Sequence, residues 1–212
     1  MLFDVDHTLA DANCTAALAQ TLAADGVVSP AAVIAVALRQ VLYRLKCQSF
    51  PQLMAAAYGL VEGRTIARVE ASAARVVRDV VVPALYPQAR HRIAMHRARG
   101  DRVVLASAAP AVLIQCISAH LGLEDGIATE FHRDGERFGP VASPPAYGAG
   151  KVERARRAGL FDMGPPHIYT DHPEDWPLVV ASGFSTLVNP APRFARDVLR
   201  RGISHEVVRW AR

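Results

Sequence analysis

MLFDVDHTLAD, residues 1–11, decides how the rest of the chain is read: three apolar residues run straight into Asp4 and Asp6, and Thr8 follows. In extended backbone, residues two apart share a face, so the two carboxylates stand side by side at the C-terminal end of a short strand. That proximity is electrostatically costly unless a cation lies with them. The remaining sequence must supply the cation and the reason for it.

Outward from this strand, residues 13–83 carry no convincing strand signal. ALAQTLAADG, AAVIAVALRQVLYRL, FPQLMAAAYGL and RTIARVEASAARVVRDVV have helical spacing, and Gly26, Pro30, Pro51, Gly59 and Gly63 divide them into about four helices. After Pro83 the pattern predicts helix 84–99, strand 102–106, helix 110–121, a short paired segment around 127–141, helix 150–158, strand 167–170, helix 174–181, strand 184–188 and helix 191–201. Strands alternating with helices indicate an α/β fold, a Rossmann-like parallel sheet with helices on both faces, interrupted after its first strand by a helical insert. The core is expected from 1–12 and 84–212, and the insert from 13–83.

Composition narrows the function classes. With 212 residues, 51% hydrophobic and 21% charged, the chain is long enough for one well-buried domain plus a small second unit. The longest uncharged run, Val103–Leu123, is interrupted by Pro110, Gln115, His120 and Gly122 and reads as strand, turn and helix rather than a membrane span. No basic, apolar leader precedes the first strand, so no secretion signal is expected. Only three residues precede Asp4, so the strand expected at mid-sheet is short.

Cys14, Cys47 and Cys116 lack CxxC spacing and read as buried free thiols, which fits a reducing cytoplasm. The net charge of +4 does not mark a nucleic-acid binder: the densest basic stretch, ARHRIAMHRARGDR (89–102), has no interleaved aromatics and reads as a solvated helix face.

Ligands of open α/β sheets bind outside the carboxyl ends of the strands, where strand order reverses. The residues following each predicted strand are Asp4 and Asp6, then Ser107, then Asp171 and Asp175; Lys151 opens a helix after GAG. Several carboxylates on one rim call for a hard divalent ion, and oxygen-only ligands favour Mg²⁺, which keeps positions for water and substrate phosphate. The hydroxyl, the lysine and backbone N–H groups at Ala108 and Ala109 could hold phosphoryl oxygens. In phosphoryl transfer one acid can attack, while a second protonates the leaving oxygen and then activates water.

DVDHTLAD, VVLASAAPAVLIQCISAHLG, YGAGKVERAR and YTDHPEDWPL, in this order and with a helical insert after the first, resemble the four motifs of the haloacid dehalogenase (HAD) superfamily, in particular its phosphoserine-phosphatase-like IB subfamily. The resemblance implies that Asp4 is the nucleophile and a Mg²⁺ ligand, and that Asp6 is the acid/base and binds the ion through its carbonyl. It further implies that Thr8, Ser107, Ala108 and Lys151 hold phosphate, that Asp171 is a metal ligand with Asp175 on the same loop, and that the insert is a cap over the substrate. The implied activity is hydrolysis of a small phosphomonoester through an aspartyl-phosphate; a phosphotransferase of the same fold and a non-catalytic Mg²⁺/phosphate-binding module are the alternatives. The implied partner is a small phosphorylated metabolite, with neither nucleic acid nor a membrane span involved.

Several positions depart from the family pattern. Residue 7 is His where a small residue such as Gly is common. Asn13 stands where phosphoserine phosphatases carry a Glu for the serine ammonium, which counts against phosphoserine, and Ser107 is followed by Ala-Ala instead of Gly-Gly. Glu174 adds negative charge beside the metal loop. His7 and His172 read as rim residues, and Trp176 and Tyr86 as packing anchors.

Overall fold

The computed structural model describes residues 1–124 and 126–211. Among them β1 (Leu2–Phe3) leads into four helices, α1 (Cys14–Ala24), α2 (Pro30–Arg44), α3 (Phe50–Tyr58) and α4 (Ile66–Val76). A π-helical turn (Val77–Val81) carries α4 into the short α5 (Val82–Ala84) and on to α6 (Pro87–Ala98). Then follow β2 (Val104–Pro110), α7 (Ala111–Leu121), β3 (Ile127–Thr129), a hairpin of β4 (Phe131–Asp134) and β5 (Arg137–Val141), and α8 (Ala149–Arg157). The chain ends through β6 (His167–Thr170), a 3₁₀ turn (Pro173–Asp175), α9 (Trp176–Ala181), β7 (Phe184–Val188), α10 (Pro192–Arg200) and β8 (His205–Val208).

Local sequence explains where the insert's helices begin. Asn13 accepts from the Ala16 N–H at 2.8 Å, Ser29 precedes Pro30, and Ser49 with Gln52 forms a reciprocal capping box. At the far end of α7, Gly122 takes a left-handed φ of 62° and stops the helix.

Six strands form one sheet in the order β3-β2-β1-β6-β7-β8, and every pair is parallel. Both faces are covered, and the side chains alternate between two cores. Phe3, Leu105, Tyr169 and Val188 join the core on one face, while Leu2, Val104, Ile168 and Leu187, their immediate neighbours, join the other. This is the period-two pattern of a sheet buried on both sides. It makes β1, although only two residues long, a central strand: Leu2 is in register with Val104 on one side and Ile168 on the other, and Phe3 stacks on Tyr169 at 3.9 Å.

The order reverses between β1 and β6. From β1 the chain builds outward through β2 and β3; from β6 it builds the other way through β7 and β8. The crevice at the carboxyl ends of β1 and β6 is therefore the topological switch point, where open α/β sheets bind ligands.

The structure differs from the sequence expectations in several places. The strand expected at 102–106 lies at Val104–Pro110, so Ser107 stands within β2 instead of after it. β3 joins the main sheet while only β4 and β5 make the expected paired segment. β8 was not anticipated, because its His205 and Glu206 break the apolar pattern; at a sheet edge such polar residues are tolerated and discourage further pairing. Cys14 is buried and Cys116 half-buried, but Cys47 is exposed on the turn after α2. The buried edge of α6 is Ala89, Ile93 and His96, with His96 bridging the Tyr169 hydroxyl at 2.7 Å and Asp101 at 2.8 Å. Trp176 and Tyr86 do pack, against Phe194 and Trp210 respectively. No helix among the described residues is long and apolar enough to cross a membrane.

His167 opens β6 beside His96 and Tyr169, with its Nε2 2.8 Å from the Thr186 hydroxyl. Burial and the neighbouring His96 depress its pKa from the usual 6.5 to about 4. The unfolded chain therefore binds a proton that the fold refuses, and stability is expected to fall as pH drops through 6.5, with this contribution levelling off near 4. Urea denaturation of the parent and His167→Gln between pH 7.5 and pH 4 checks this: the parent is expected to lose more stability over that interval than the variant.

Candidate active site

The backbone N–H of Asp4 donates to the Tyr169 carbonyl at 2.9 Å, which fixes Asp4 at the mouth of the switch-point crevice. Asp171 follows β6 directly on the other side. Thr8, fully buried, closes the gap by donating its hydroxyl to Asp171 Oδ1 at 3.2 Å. The first and last motifs thus meet in a side-chain contact.

Lys151 supplies the cation that the first strand demands. Its Nζ lies 2.9 Å from Asp4 Oδ1 and 2.6 Å from Asp175 Oδ1, and the lysine is only 2% exposed. Burial works against its charge, but Asp175 and Asp4 outweigh that penalty and hold its pKa above the ordinary lysine value. Asp175 is itself anchored, accepting the Thr170 hydroxyl on its other oxygen at 2.8 Å. Both Asp175 oxygens are therefore engaged within the protein.

The reach of Lys151 depends on Gly150. A Cβ there would stand 2.1 Å from the Pro145 carbonyl oxygen, so glycine lets the start of α8 press against the preceding loop and aim the lysine inward.

Asp6 projects to the N-terminus of α1, where its Oδ1 accepts the Cys14 N–H at 2.6 Å. Burial raises its pKa while that N–H opposes the rise. Burial likewise lifts Asp4 well above the usual carboxylate value, opposed by Lys151 and reinforced by Asp175, Asp171 and Asp6. Asp171 is pushed to about 6, chiefly by burial, with Asp175 adding to the effect. One ammonium does not offset this many buried acids. Among the described residues, however, no three His, Cys, Asp or Glu side chains are gathered so that they could hold a metal ion by themselves. Asp6 directs its carboxylate to the N-terminus of α1, and Asp175 directs its own to Lys151 and Thr170.

Ser107 is buried at the same rim, its Oγ accepting the Ala109 N–H at 3.1 Å. That amide, expected to face a ligand, is thus engaged locally. Ala108 is held by its carbonyl, which accepts from Tyr58 at 2.8 Å and Thr129 at 2.9 Å. The helix that was to lend these amides its positive end begins only at Ala111.

Asp4, Asp6, Ser107, Ala108, Lys151, Asp171 and Asp175 all line one cavity of about 630 Å³, as do His7, Asn13, His172 and Glu174; Thr8 is buried against Asp171. His7 has φ of 56°, a left-handed backbone that suits glycine, which explains why a small residue is common at this position in the resembled family. Asn13, as the α1 cap, directs its amide oxygen to a backbone N–H.

Sequence reasoning did not anticipate the contacts that seat the insert on the core. Tyr43 of α2 donates to Glu174 at 3.3 Å, and Phe50 of α3 meets the rings of Tyr147 and His172 at 5.4 and 6.4 Å. An aromatic in an amphipathic helix reads the same whether it faces its own bundle or another layer, so no sequence signal marked these residues.

A model of the haloacid dehalogenase-like hydrolases matches residues 1–179. Over 207 residues the chain is 27% identical to a probable phosphatase of Mycobacterium tuberculosis, covering 94% of this chain and 72% of that protein. It is 26% identical over 209 residues to a phosphoserine phosphatase, SerB1, of the same organism, covering 94% and 68%. A protein of unknown function from Bordetella pertussis Tohama I, of known structure, superposes with a TM-score of 0.84 at 26% identity and 96% coverage of both chains.

Gly150→Ala is expected to cost about 1–3 kcal/mol of stability, the range for a forced close contact. Urea denaturation measures this; an unchanged midpoint would mean that the Pro145 contact relaxes freely.

Proposed function

The chain belongs to the haloacid dehalogenase-like hydrolases, and from that membership we propose that it is a Mg²⁺-dependent phosphatase acting on a phosphomonoester through an aspartyl-phosphate on Asp4. The observation that carries this reading is the Asp4–Lys151–Asp175 chain of contacts at the switch point, with Asp171 across the crevice.

The residues fit a magnesium ion. Asp4 and Asp171 offer hard oxygen ligands, and the protonation that burial favours in both would be relieved by a divalent charge. Mg²⁺ characteristically takes one or two carboxylates and leaves its other positions to water and phosphate, so no larger cage is needed. Asp4 and Asp171 would hold the ion through their carboxylates and Asp6 through its main-chain carbonyl. Bound there, it would neutralise charge on the phosphoryl oxygens.

Asp4 attacks phosphorus through a carboxylate oxygen, and the bond to the ester oxygen breaks. Asp6, whose raised pKa favours the protonated form, gives its proton to the departing alkoxide. It then takes a proton from a water whose oxygen attacks the same phosphorus, which frees Asp4 and inorganic phosphate. Lys151 keeps Asp4 oriented and offers its ammonium to a phosphoryl oxygen as a point charge, and Ser107 presents its hydroxyl from the adjoining strand. Thr8 contributes by holding Asp171 at the phosphate end, and Asp175 acts on Lys151 instead of on the ion. Residues 13–83 serve as a cap that limits water, seated by Tyr43 and Phe50. The free thiols are consistent with a reducing cytoplasmic setting.

The test is a panel of phosphate esters with Mg²⁺ and with EDTA. Release of phosphate is expected only with the metal. Asp4→Asn should abolish it, and Asp6→Asn should lower kcat by about 10²–10⁴, the usual worth of a positioned acid/base. Turnover surviving Asp4→Asn would assign the chemistry to another group.

A further inference from the structure

The cavity reaches well beyond the phosphate end, and its far wall has a different character. About 630 Å³ is the size of a site for a drug-sized molecule. α2 contributes Val33, Val36 and Val41 to that wall, and α3 contributes Phe50, Leu53 and Met54. Among the described cavity residues of the insert, Arg44 is the one charged side chain. Its polar companions include Gln20 and Gln40, and there is no acid. Across from them Glu174, on the core side, accepts from Tyr43.

An amino-acid-like substrate needs an anion for its ammonium. The position expected to provide one is Asn13, whose amide oxygen caps α1. Against the apolar part of this wall, Val33, Val36, Phe50, Leu53 and Met54, a strongly polar alcohol portion would lose water without gaining partners, whereas hydrocarbon would gain from the same desolvation.

The exposed flank of α2 and the turn after it carry the same signature. Ile34, Leu38 and Leu45 are 60%, 61% and 65% exposed, and no acidic residue stands between Asp25 and Glu62, only Arg39, Arg44 and Lys46. The helix that roofs the cavity thus has hydrocarbon toward the cavity and toward solvent, and cations alone among its charges.

We propose that the substrate is an amphiphilic phosphomonoester, its phosphate at Asp4 and Lys151 and an extended apolar chain or ring system lying against Val33, Val36, Phe50, Leu53 and Met54. This inference rests on the phosphatase reading above, whose chemistry it leaves unchanged.

Two series test it on the full chain with Mg²⁺. In the first, kcat/KM is measured for n-alkyl phosphates from ethyl to octyl, kept below their micelle concentrations, beside O-phosphoserine. In the second, calorimetry gives Kd for n-alkylphosphonates, which bind without being hydrolysed. Each fully buried methylene is worth about fourfold, so octyl should exceed ethyl on the order of a hundredfold or more in both series. O-phosphoserine should fall with the short esters. Val36→Asp should reduce the octyl-to-ethyl ratio at least tenfold in both readouts.

Hydrolysis of all esters with a flat dependence on chain length, or a preference for O-phosphoserine, would overturn this proposal and leave the phosphatase reading standing. A chain-length preference unaffected by Val36→Asp would overturn the placement of the apolar portion on α2. Failure to hydrolyse any ester would overturn the phosphatase reading, and this proposal with it.

Discussion

A single buried ammonium lets the acid-rich rim exist. Lys151 lies between Asp4 and Asp175 with almost no access to water, and it opposes the drive toward protonation that burial imposes on Asp4. Burial makes the arrangement consequential: in a low-dielectric crevice an unpaired carboxylate is costly, while a paired one is held in a defined orientation. One lysine is still too little charge for four neighbouring acids. In the proposed function a divalent ion would make up that shortfall.

Topology delivers these groups to one place. Asp4 and Asp171 are far apart in sequence, yet each follows one of the two strands that flank the reversal of strand order, so a parallel sheet brings them together without any further device. The price is that β1 is buried on both faces and paired on both edges with only two residues. Phe3 stacking on Tyr169 and the Asp4 N–H bond to the Tyr169 carbonyl hold it there, so the core and the site share their anchoring residues. The insert is attached differently. Around the cavity it meets the core through Tyr43, Phe50 and Tyr58, and away from the cavity its Leu18, Val69 and Ala73 share one apolar core with Leu105 and Ile114 of the sheet side.

The α/β class and the strand-end positions of the acids were legible because two simple periodicities, three to four residues in the helices and near-continuous apolar runs in the strands, are physically obligatory in a sheet covered on both faces. Lys151 was legible as one of two lysines in a chain with 22 arginines. Pairings inside the site were not. Nothing in the spacing of Asp171 and Asp175 reveals that one faces Thr8 and the other turns to Lys151 and Thr170, because a loop and a 3₁₀ turn set those directions. Ser107 was placed after its strand because strand ends have no chemical marker as distinct as a helix cap. His7 shows the converse: its departure from a small residue pointed to a position with special backbone geometry, and its φ is left-handed.

The central claim is that Asp4 carries the phosphoryl group during turnover. The most direct test is acid quench of the enzyme mixed with Mg²⁺ and ³²P-labelled octyl phosphate, followed by peptide mapping of the retained label. The account predicts label on the peptide bearing Asp4 and its absence in Asp4→Asn. Label on any other residue, or turnover with none retained at any quench time, would contradict it.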